Sequence, residues 1–423
     1  MLLKNGNYVN IRERKIEEKD VRIIDRKIIE IGNQLQRKGD EVVLDIKGLY
    51  MMPSFVDLHA HFREPGFEYK ETIETGAKAA ASAGYTEVYI MPNTSPIVDN
   101  EDIIQKILSK TKDLIGPKLH IVGAITEGEL GKKLVDLDGY VEQGISTISD
   151  DGQPVWDLNV LEEALEKARE HNLLTMLHCE KKELAIGSVN KGIISKMVGD
   201  KGINNASEYL AVKESIEIAE KVGARIHICH ISTKESVELI QKAKMRGVRV
   251  TAEVTPNHLS LDERDVIQNK AIAKINPPLR TKEDQEVLID ALNKGIIDII
   301  ATDHAPHSKE EKQREISKAP FGISTLDIAP SIVYTHLVKK DKMDFFRWIE
   351  VMAIEPRKIV GMPIVELMPG DDADFCLMEL DQEIKLNEEM IHSKGKNTPF
   401  LETNLQGWVQ YTFRKGQMIY RRG

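Results

Sequence analysis

From about residue 55 the chain repeats one hydrophobic–polar pattern. A short apolar run rich in β-branched residues gives way to an amphipathic stretch with helical spacing, and the pair recurs until residue 303. The apolar runs are "SFVDLHAH" (54–61), "TEVYIMP" (86–92), "LHIVGAIT" (119–126), "ISTIS" (145–149), "LLTMLHC" (173–179), "RIHICHIS" (225–232), "VRVTAEVT" (248–255) and "IIDIIATD" (296–303). Between them, the spacing over 71–83 puts Ile73, Ala77, Ala80 and Ala81 on one helical face, and Gly84 ends it. Leu161, Leu165 and Ala168 do the same over 158–170. Ser207 reads as the N-cap of a helix over 208–222 that Gly223 closes, and Gly247 and Gly295 close two more. Eight strand–helix units in ~250 residues predict a (β/α)8 TIM-type barrel. Doubly wound sheets alternate in the same way but usually stop at about five or six strands.

The flanks have a different rhythm. Residues 2–50 hold short alternating runs punctuated by glycine, such as "VRIIDRKIIEIG" and "DEVVLDIKG", which predict a small antiparallel β unit. The alternation returns in "GMPIVELMPGDDADFCLME" (361–379) and in the closing "GWVQYTFRKGQMIYRRG". The expected fold is therefore α/β. A barrel spans residues 53–360, and residues 1–52 and 361–423 join in one small β domain.

The polar residues of the barrel segment cluster where its strands end. His59 and His61 end the first, Asn93 follows the second, and Asp150 and Asp151 follow the fourth. His178 ends the fifth, His230 lies near the end of the sixth, Asn276 is in the long loop after the seventh, and Asp303 ends the eighth. A barrel gathers the C-terminal ends of its strands on one face. His59, His61, His178, His230, Asp151 and Asp303 then form a set of imidazoles and carboxylates suited to Zn²⁺. Six ligands exceed the needs of one tetrahedral ion, whereas two ions sharing a carboxylate use them all. His120, His171, His227, His258, His336 and His392 read as ordinary structural histidines, and strand parity turns His227 away from His230.

Composition narrows the functional classes. The net charge of −10 is dispersed, which excludes a clustered basic nucleic-acid surface. No window approaches the ~18 apolar residues of a membrane span, and the N-terminus reaches Lys4 too soon for a signal-peptide core. Three cysteines, Cys179, Cys229 and Cys376, build no disulfide framework and fit a reducing cytoplasm. Adjacent strand residues face opposite ways, so Cys179 does not share an ion with His178; the cysteines read as small buried apolar residues.

The motifs "DLHAHFREPG", "MPNTSP", "SDDGQPV", "LHCE", "CHIS", "KINPPLR" and "TDHAPH" run from residue 57 to 307. Together they resemble the amidohydrolase superfamily and, more narrowly, its zinc-dependent type I dihydroorotases. The resemblance implies two zinc ions, one held by His59, His61 and Asp303 and the other by His178 and His230. Asp151 is the implied bridge, because strand four ends in "ISDDG" without the lysine that many relatives carboxylate there. It further implies that Arg63 clamps the substrate carboxylate, with a guanidinium fork suited to two parallel hydrogen bonds. His61, Asn93 and Asn276 are implied substrate contacts, His307 binds the substrate ring, and the backbone at Phe321 and Gly322 meets its amide. Two departures, Ser54 where relatives often have Gly and Asn257 where they often have His, fall outside the ligand set.

The implied activity is reversible ring closure of N-carbamoyl-L-aspartate to L-dihydroorotate in de novo pyrimidine biosynthesis. Zinc-activated hydroxide is the implied nucleophile and Asp303 the acid–base group. A homodimer and an association with aspartate transcarbamoylase are the partners implied. The charged segment "HSKEEKQREISKAPFG" from His307 is long for a loop and reads equally as a lid or as a mobile surface loop. The rival readings are an allantoinase- or hydantoinase-like cyclic amidohydrolase and a catalytically silent homologue serving as an assembly partner. Arg63 and the missing strand-four lysine speak against the first, and the complete ligand set against the second.

Overall fold

The computed structural model describes residues 1–423. Five strands open the chain: β1 (Leu2–Asn10), β2 (Lys15–Ile24), β3 (Lys27–Gly32), β4 (Val43–Asp45) and β5 (Tyr50–Pro53). Eight parallel strands follow: β6 (Phe55–Ala60), β7 (Tyr85–Ile90), β8 (Lys118–Ile121), β9 (Thr147–Ile148), β10 (Leu174–Leu177), β11 (Ile226–Ile228), β12 (Val250–Val254) and β13 (Ile299–Ile300). The chain ends with β14 (Phe375–Glu379), β15 (Ile384–Lys385), β16 (Asn404–Leu405), β17 (Trp408–Arg414) and β18 (Gln417–Arg421).

All eight apolar runs of the repeat are strands, two of them only two residues long. They form two parallel sheets, β6-β7-β8 and β9 to β13 in chain order. Parallel bridges link the sheets at both seams, Gly123 with Ile148 and Ala60 with His304, and the His61 amide donates to the His304 carbonyl at 2.9 Å. Every residue of β6, β7 and β10 is buried. Helices cover such sheets, so their strands read as continuous apolar runs and not as alternation.

The connecting helices begin at polar caps. Thr72 caps Ile73–Ser82, Asp157 caps Leu158–Glu170, Thr233 caps Lys234–Met245 and Thr281 caps Lys282–Asn293. Each cap accepts a hydrogen bond from an otherwise unpaired N–H of the first turn. Ser207 is not a cap, as the sequence had suggested. The helix spans Ala206–Val222, the Asn204 side chain takes the Ala206 amide at 3.0 Å, and Ser207 Oγ donates to the Asn204 carbonyl at 2.8 Å.

A separate sheet takes strands from both chain ends in the order β18-β17-β14-β5-β1-β2-β3, with β4 also on β1. Phe375 stacks on Phe413 at 4.6 Å within its own apolar cluster, which includes Leu3, Val21, Ile28 and Met51. The expected antiparallel pairing holds for β1/β2 and β2/β3 but not for β1 with β4 and β5, which run parallel to it. The segment between β3 and β4 carries the chain back to the starting end, as a parallel partner requires. Farther on, Leu386, Ile391, Phe400 and Leu405 pack on Ile328 and Ile332. This brings residues 393–397 beside the ends of the parallel strands. No helix is long and apolar enough to cross a membrane.

Candidate metal centre and substrate pocket

The six candidate ligands, spread from residue 59 to 303, meet in one place. His61 Nε2 lies 3.0 Å from Asp303 Oδ1 and 3.4 Å from Asp151 Oδ2. His59 Nε2 lies 3.4 Å from Asp151 Oδ1 and 3.6 Å from Asp303 Oδ1. His178 Nδ1 and His230 Nε2 are 3.0 Å apart, and each is 3.6 Å from Asp151 Oδ1. Asp151 thus approaches all four imidazoles. Asp150, its neighbour, faces away and accepts the Ile125 and Thr126 amides and the Thr126 hydroxyl.

These separations suit a metal. Ligands held at ~2.1 Å around a tetrahedral ion stand about 3.4 Å from one another. The protonation pattern agrees. His59 donates its Nδ1 proton to Glu253 at 2.6 Å, and His61 donates its own to Asn93 Oδ1 at 2.8 Å. Both Nε2 atoms face the carboxylates. His59 Nε2 and Asp151 Oδ1 are buried and make no hydrogen bond. Converging buried acceptors repel unless a cation joins them. Burial works against charge on His59, but Asp151 and Glu253 outweigh it and raise its pKa well above the usual imidazole value. Burial likewise pushes Asp151 up, and His59, His178 and His230 together hold it well below the carboxylate range. The centre is built for positive charge, and two of its donor groups are His59–His61–Asp151 and Asp151–His178–His230.

The backbone bends to present these groups. Arg63, His230 and Asp303 have φ of 61°, 34° and 44°, left-handed conformations that non-glycine residues rarely adopt. Such strain clusters at functional sites. It also defeats parity. His230 follows the strand in a left-handed turn, so its direction says nothing about His227. His227, read from sequence as ordinary and turned away, reaches Glu253 Oε2 with Nε2 at 2.9 Å and shares that carboxylate with His59.

Glu253 is a carboxylate behind the candidate ligands that sequence reasoning missed. It is fully buried on β12, and besides the two imidazoles it accepts the His230 amide at 3.3 Å. His59, Cys229 and Glu253 also approach within ligand range of one another. Glu253 nevertheless contacts His59 through Nδ1, the nitrogen turned away from Asp151, so it supports the ligand from behind. His304 and Glu71 were missed too. They pair at 3.2 Å, and Glu71 continues to Ser393 Oγ and the Lys394 amide. Their only sequence signal was a histidine inside "TDHAPH" and a carboxylate ahead of a helix cap.

A cavity of about 210 Å³ beside the ligands is lined by His61, Arg63, Asn93, Asn276, His307, Phe321 and Gly322, the residues expected to contact substrate. Arg63 opens into it with no ion pair, its Nε donating to the Pro306 carbonyl at 3.4 Å. Burial lowers its pKa, against the pull of Asp303 and Asp151. Asn276 Oδ1 is buried and without a hydrogen bond. Asn93 is already committed to His61, and its amide nitrogen donates to the Asp151 carbonyl at 3.3 Å. His307 has both ring nitrogens engaged: Nε2 donates to the Phe321 carbonyl at 2.7 Å, and Nδ1 is 3.3 Å from Lys70 Nζ. The Gly322 amide donates to the Lys274 carbonyl at 2.9 Å. The Phe321 N–H is the backbone donor left over at this point.

Residues 50–419 match the Amidohydrolase family. The dihydroorotase of Bacillus licheniformis is 41% identical over 423 residues, covering 100% of this chain and 98% of that protein. The dihydroorotases of Caldicellulosiruptor saccharolyticus and Bacillus subtilis are 39% and 40% identical over the whole chain. Among solved structures, the L-hydantoinase (dihydropyrimidinase) of Arthrobacter aurescens matches 100% of this chain and 96% of its own, with a TM-score of 0.86 at 23% identity. The dihydropyrimidinase of Brevibacillus agri matches 99% and 95%, with a TM-score of 0.84 at 24% identity. At that identity the likeness speaks for the fold alone. The chain belongs to the amidohydrolase family and, within it, to the group of the dihydroorotases.

Proposed function

We propose that the chain is a dihydroorotase, interconverting N-carbamoyl-L-aspartate and L-dihydroorotate in de novo pyrimidine biosynthesis. In this reading the two parallel sheets form one (β/α)8 barrel over residues 53–360, residues 1–52 and 361–423 form the small β domain, and the site sits at the C-terminal rim. The observation that carries it is a conjunction. A donor set of five buried residues and the partly exposed Asp303 adjoins a guanidinium, Arg63, that has no carboxylate of its own. That pairing suits a substrate with a hydrolysable cyclic amide beside a free carboxylate.

His59, His61 and Asp303 would hold one zinc and His178 and His230 the other, with Asp151 between them. Bound zinc supplies Lewis acidity for an amide carbonyl and lowers the pKa of water toward ~7. The remaining work belongs to the chain. Asp303 Oδ1 lies 3.0 Å from His61 Nε2 at the mouth of the pocket, so its carboxylate is placed to carry a proton between water and substrate. It takes the proton of the attacking water and returns it to the departing ring nitrogen; in the cyclisation direction the transfers reverse. Arg63 binds the substrate carboxylate through two parallel hydrogen bonds. Asn276 Oδ1 accepts a substrate N–H, and the Phe321 N–H donates to a substrate carbonyl. His307, with both nitrogens engaged, presents its ring edge and holds Phe321 in place.

Rates of the zinc-loaded chain on dihydroorotate, hydantoin, dihydrouracil and allantoin test the reading. Dihydroorotate is expected to exceed the others by orders of magnitude, and a preference for hydantoin or allantoin would overturn it. The same reading carries a cytoplasmic homodimer associating with aspartate transcarbamoylase. Sedimentation of the chain alone and mixed with that enzyme measures both partnerships.

A further inference from the structure

The loop that carries His307 and Phe321 is fastened in an unusual way. Lys312 and Lys274 are each only 3% exposed, and neither forms an ion pair. Lys312 Nζ donates to the carbonyls of Gly322, Pro320 and Lys274 at 2.8, 3.0 and 3.3 Å. Lys274 Nζ donates to the carbonyls of Ile316 and Ala319, both at 2.7 Å, and lies 4.3 Å from the centre of the Phe321 ring. Two buried lysine amino groups thus hold five backbone carbonyls, four of them within residues 316–322, and burial, with Lys274 close by, brings the Lys312 pKa down to about 7. On the other side, Glu311 pairs with Lys70 at 3.0 Å and accepts from the Tyr69 hydroxyl at 3.3 Å, tying the loop to the segment that follows Arg63.

A buried ammonium without a carboxylate is costly unless every N–H is satisfied. A loop needing only stability could use apolar residues there at less cost. What the lysines achieve is conformational: the three donors of Lys312 cannot all be satisfied unless residues 320 and 322 return to the segment around Lys274. We propose that Lys312, supported by Lys274, is a positioning residue that latches loop 308–322 closed over the pocket, so that the Phe321 N–H and the His307 ring meet the substrate. The proposal rests on the dihydroorotase reading and acts on the same site.

The test uses the full-length zinc-loaded chain and three variants, Lys312→Met, Lys274→Met and Lys312→Arg. Hydrogen exchange over residues 308–322 is measured alongside kinetics on dihydroorotate, zinc content and thermal stability. Lys312→Met is expected to lose exchange protection in that loop and to raise KM at least about ten-fold, the equivalent of one charge-assisted hydrogen bond. Its kcat should change less, and its zinc content should equal the parent's. Lys274→Met is expected to act in the same direction, and Lys312→Arg to recover part of the KM loss by restoring the cation. Unchanged exchange in the loop overturns the latch. Lost protection with an unchanged KM overturns the positioning role, as does a fall in activity that only follows the folded fraction. If Lys312→Met does not fold, Lys274→Met decides by the same criteria. A parent chain inactive on dihydroorotate would refute the functional reading and not the latch, which the exchange data address separately.

Discussion

Replacing Glu253 tests how the metal centre is oriented. This carboxylate is wholly enclosed and accepts three N–H groups: His59 Nδ1 at 2.6 Å, His227 Nε2 at 2.9 Å and the His230 amide at 3.3 Å. Its grip on Nδ1 fixes the His59 tautomer and leaves Nε2 for the metal, as partners behind ligating histidines commonly do. A charge-assisted hydrogen bond contributes ~1.5–3 kcal/mol. At ~1.4 kcal/mol per decade this corresponds to roughly 10–150-fold in affinity. Glu253→Gln retains one oxygen that can still accept from His59, and His227 can switch tautomer because its other nitrogen faces the adaptable Thr251 hydroxyl at 2.8 Å. Its expected loss is about ten-fold in zinc affinity. Glu253→Leu leaves all three donors unpaired, so the expected loss is ~100-fold with lower stability of the metal-free chain. Competition against a chromophoric chelator, on chain first stripped of metal, measures the affinity. If Glu253→Gln held zinc within about three-fold of the parent, the support assigned to Glu253 would be wrong.

Other substitutions separate the remaining roles. Asp303→Asn is expected to lower kcat more than ~10²-fold, the lower end of acid–base contributions, with zinc content measured alongside; a near-normal rate removes Asp303 from the proton path. Arg63→Met is expected to raise KM for dihydroorotate roughly 100-fold, and Arg63→Lys to recover only part because lysine lacks the planar fork. Equal kinetics for the Lys variant and the parent would exclude a two-point clamp. Glu129 gives a pH test. Burial, reinforced by Asp150, Asp151 and Asp99, pushes its carboxyl up to about 9, against an ordinary value of 4.5. Between those values the folded chain holds a proton that the unfolded chain has released, so stability falls as pH rises through that window. Glu129→Gln removes the effect. In metal-free chain its Tm should exceed the parent's by a margin that grows from pH 5 to 9 and reaches ~2 °C or more; a constant margin contradicts the shift.

Much of this architecture was legible because the governing patterns are local. Apolar runs with glycine stops mark strand–helix units, and His59, His61, Asp151, His178, His230 and Asp303 each fall at or just beyond a strand end. What stayed hidden depends on distant parts of the chain. Glu253 lies in a strand buried on both faces, where no alternation marks an inward side chain. Parity misjudged His227 because the reference residue, His230, sits in a left-handed turn that no sequence rule signals. Asn93 pointed correctly to the pocket, yet its orientation of His61 depends on side-chain geometry across two strands. Lys312, within a charged loop, reads as solvated; only the carbonyls gathered from residues 274, 320 and 322 reveal its socket. Ser207 falls inside the first turn because the helix starts earlier, at Ala206, whose amide the Asn204 side chain accepts.

The central claim is that these six side chains hold the ions on which cyclic-amide chemistry depends. It is tested most directly by titrating zinc into the stripped full-length chain while following both bound metal and the opening of L-dihydroorotate. Ring opening that rises with bound zinc and levels off at two ions per chain is the expected result. Turnover in the stripped chain, or a fully loaded chain that leaves dihydroorotate intact, would contradict it.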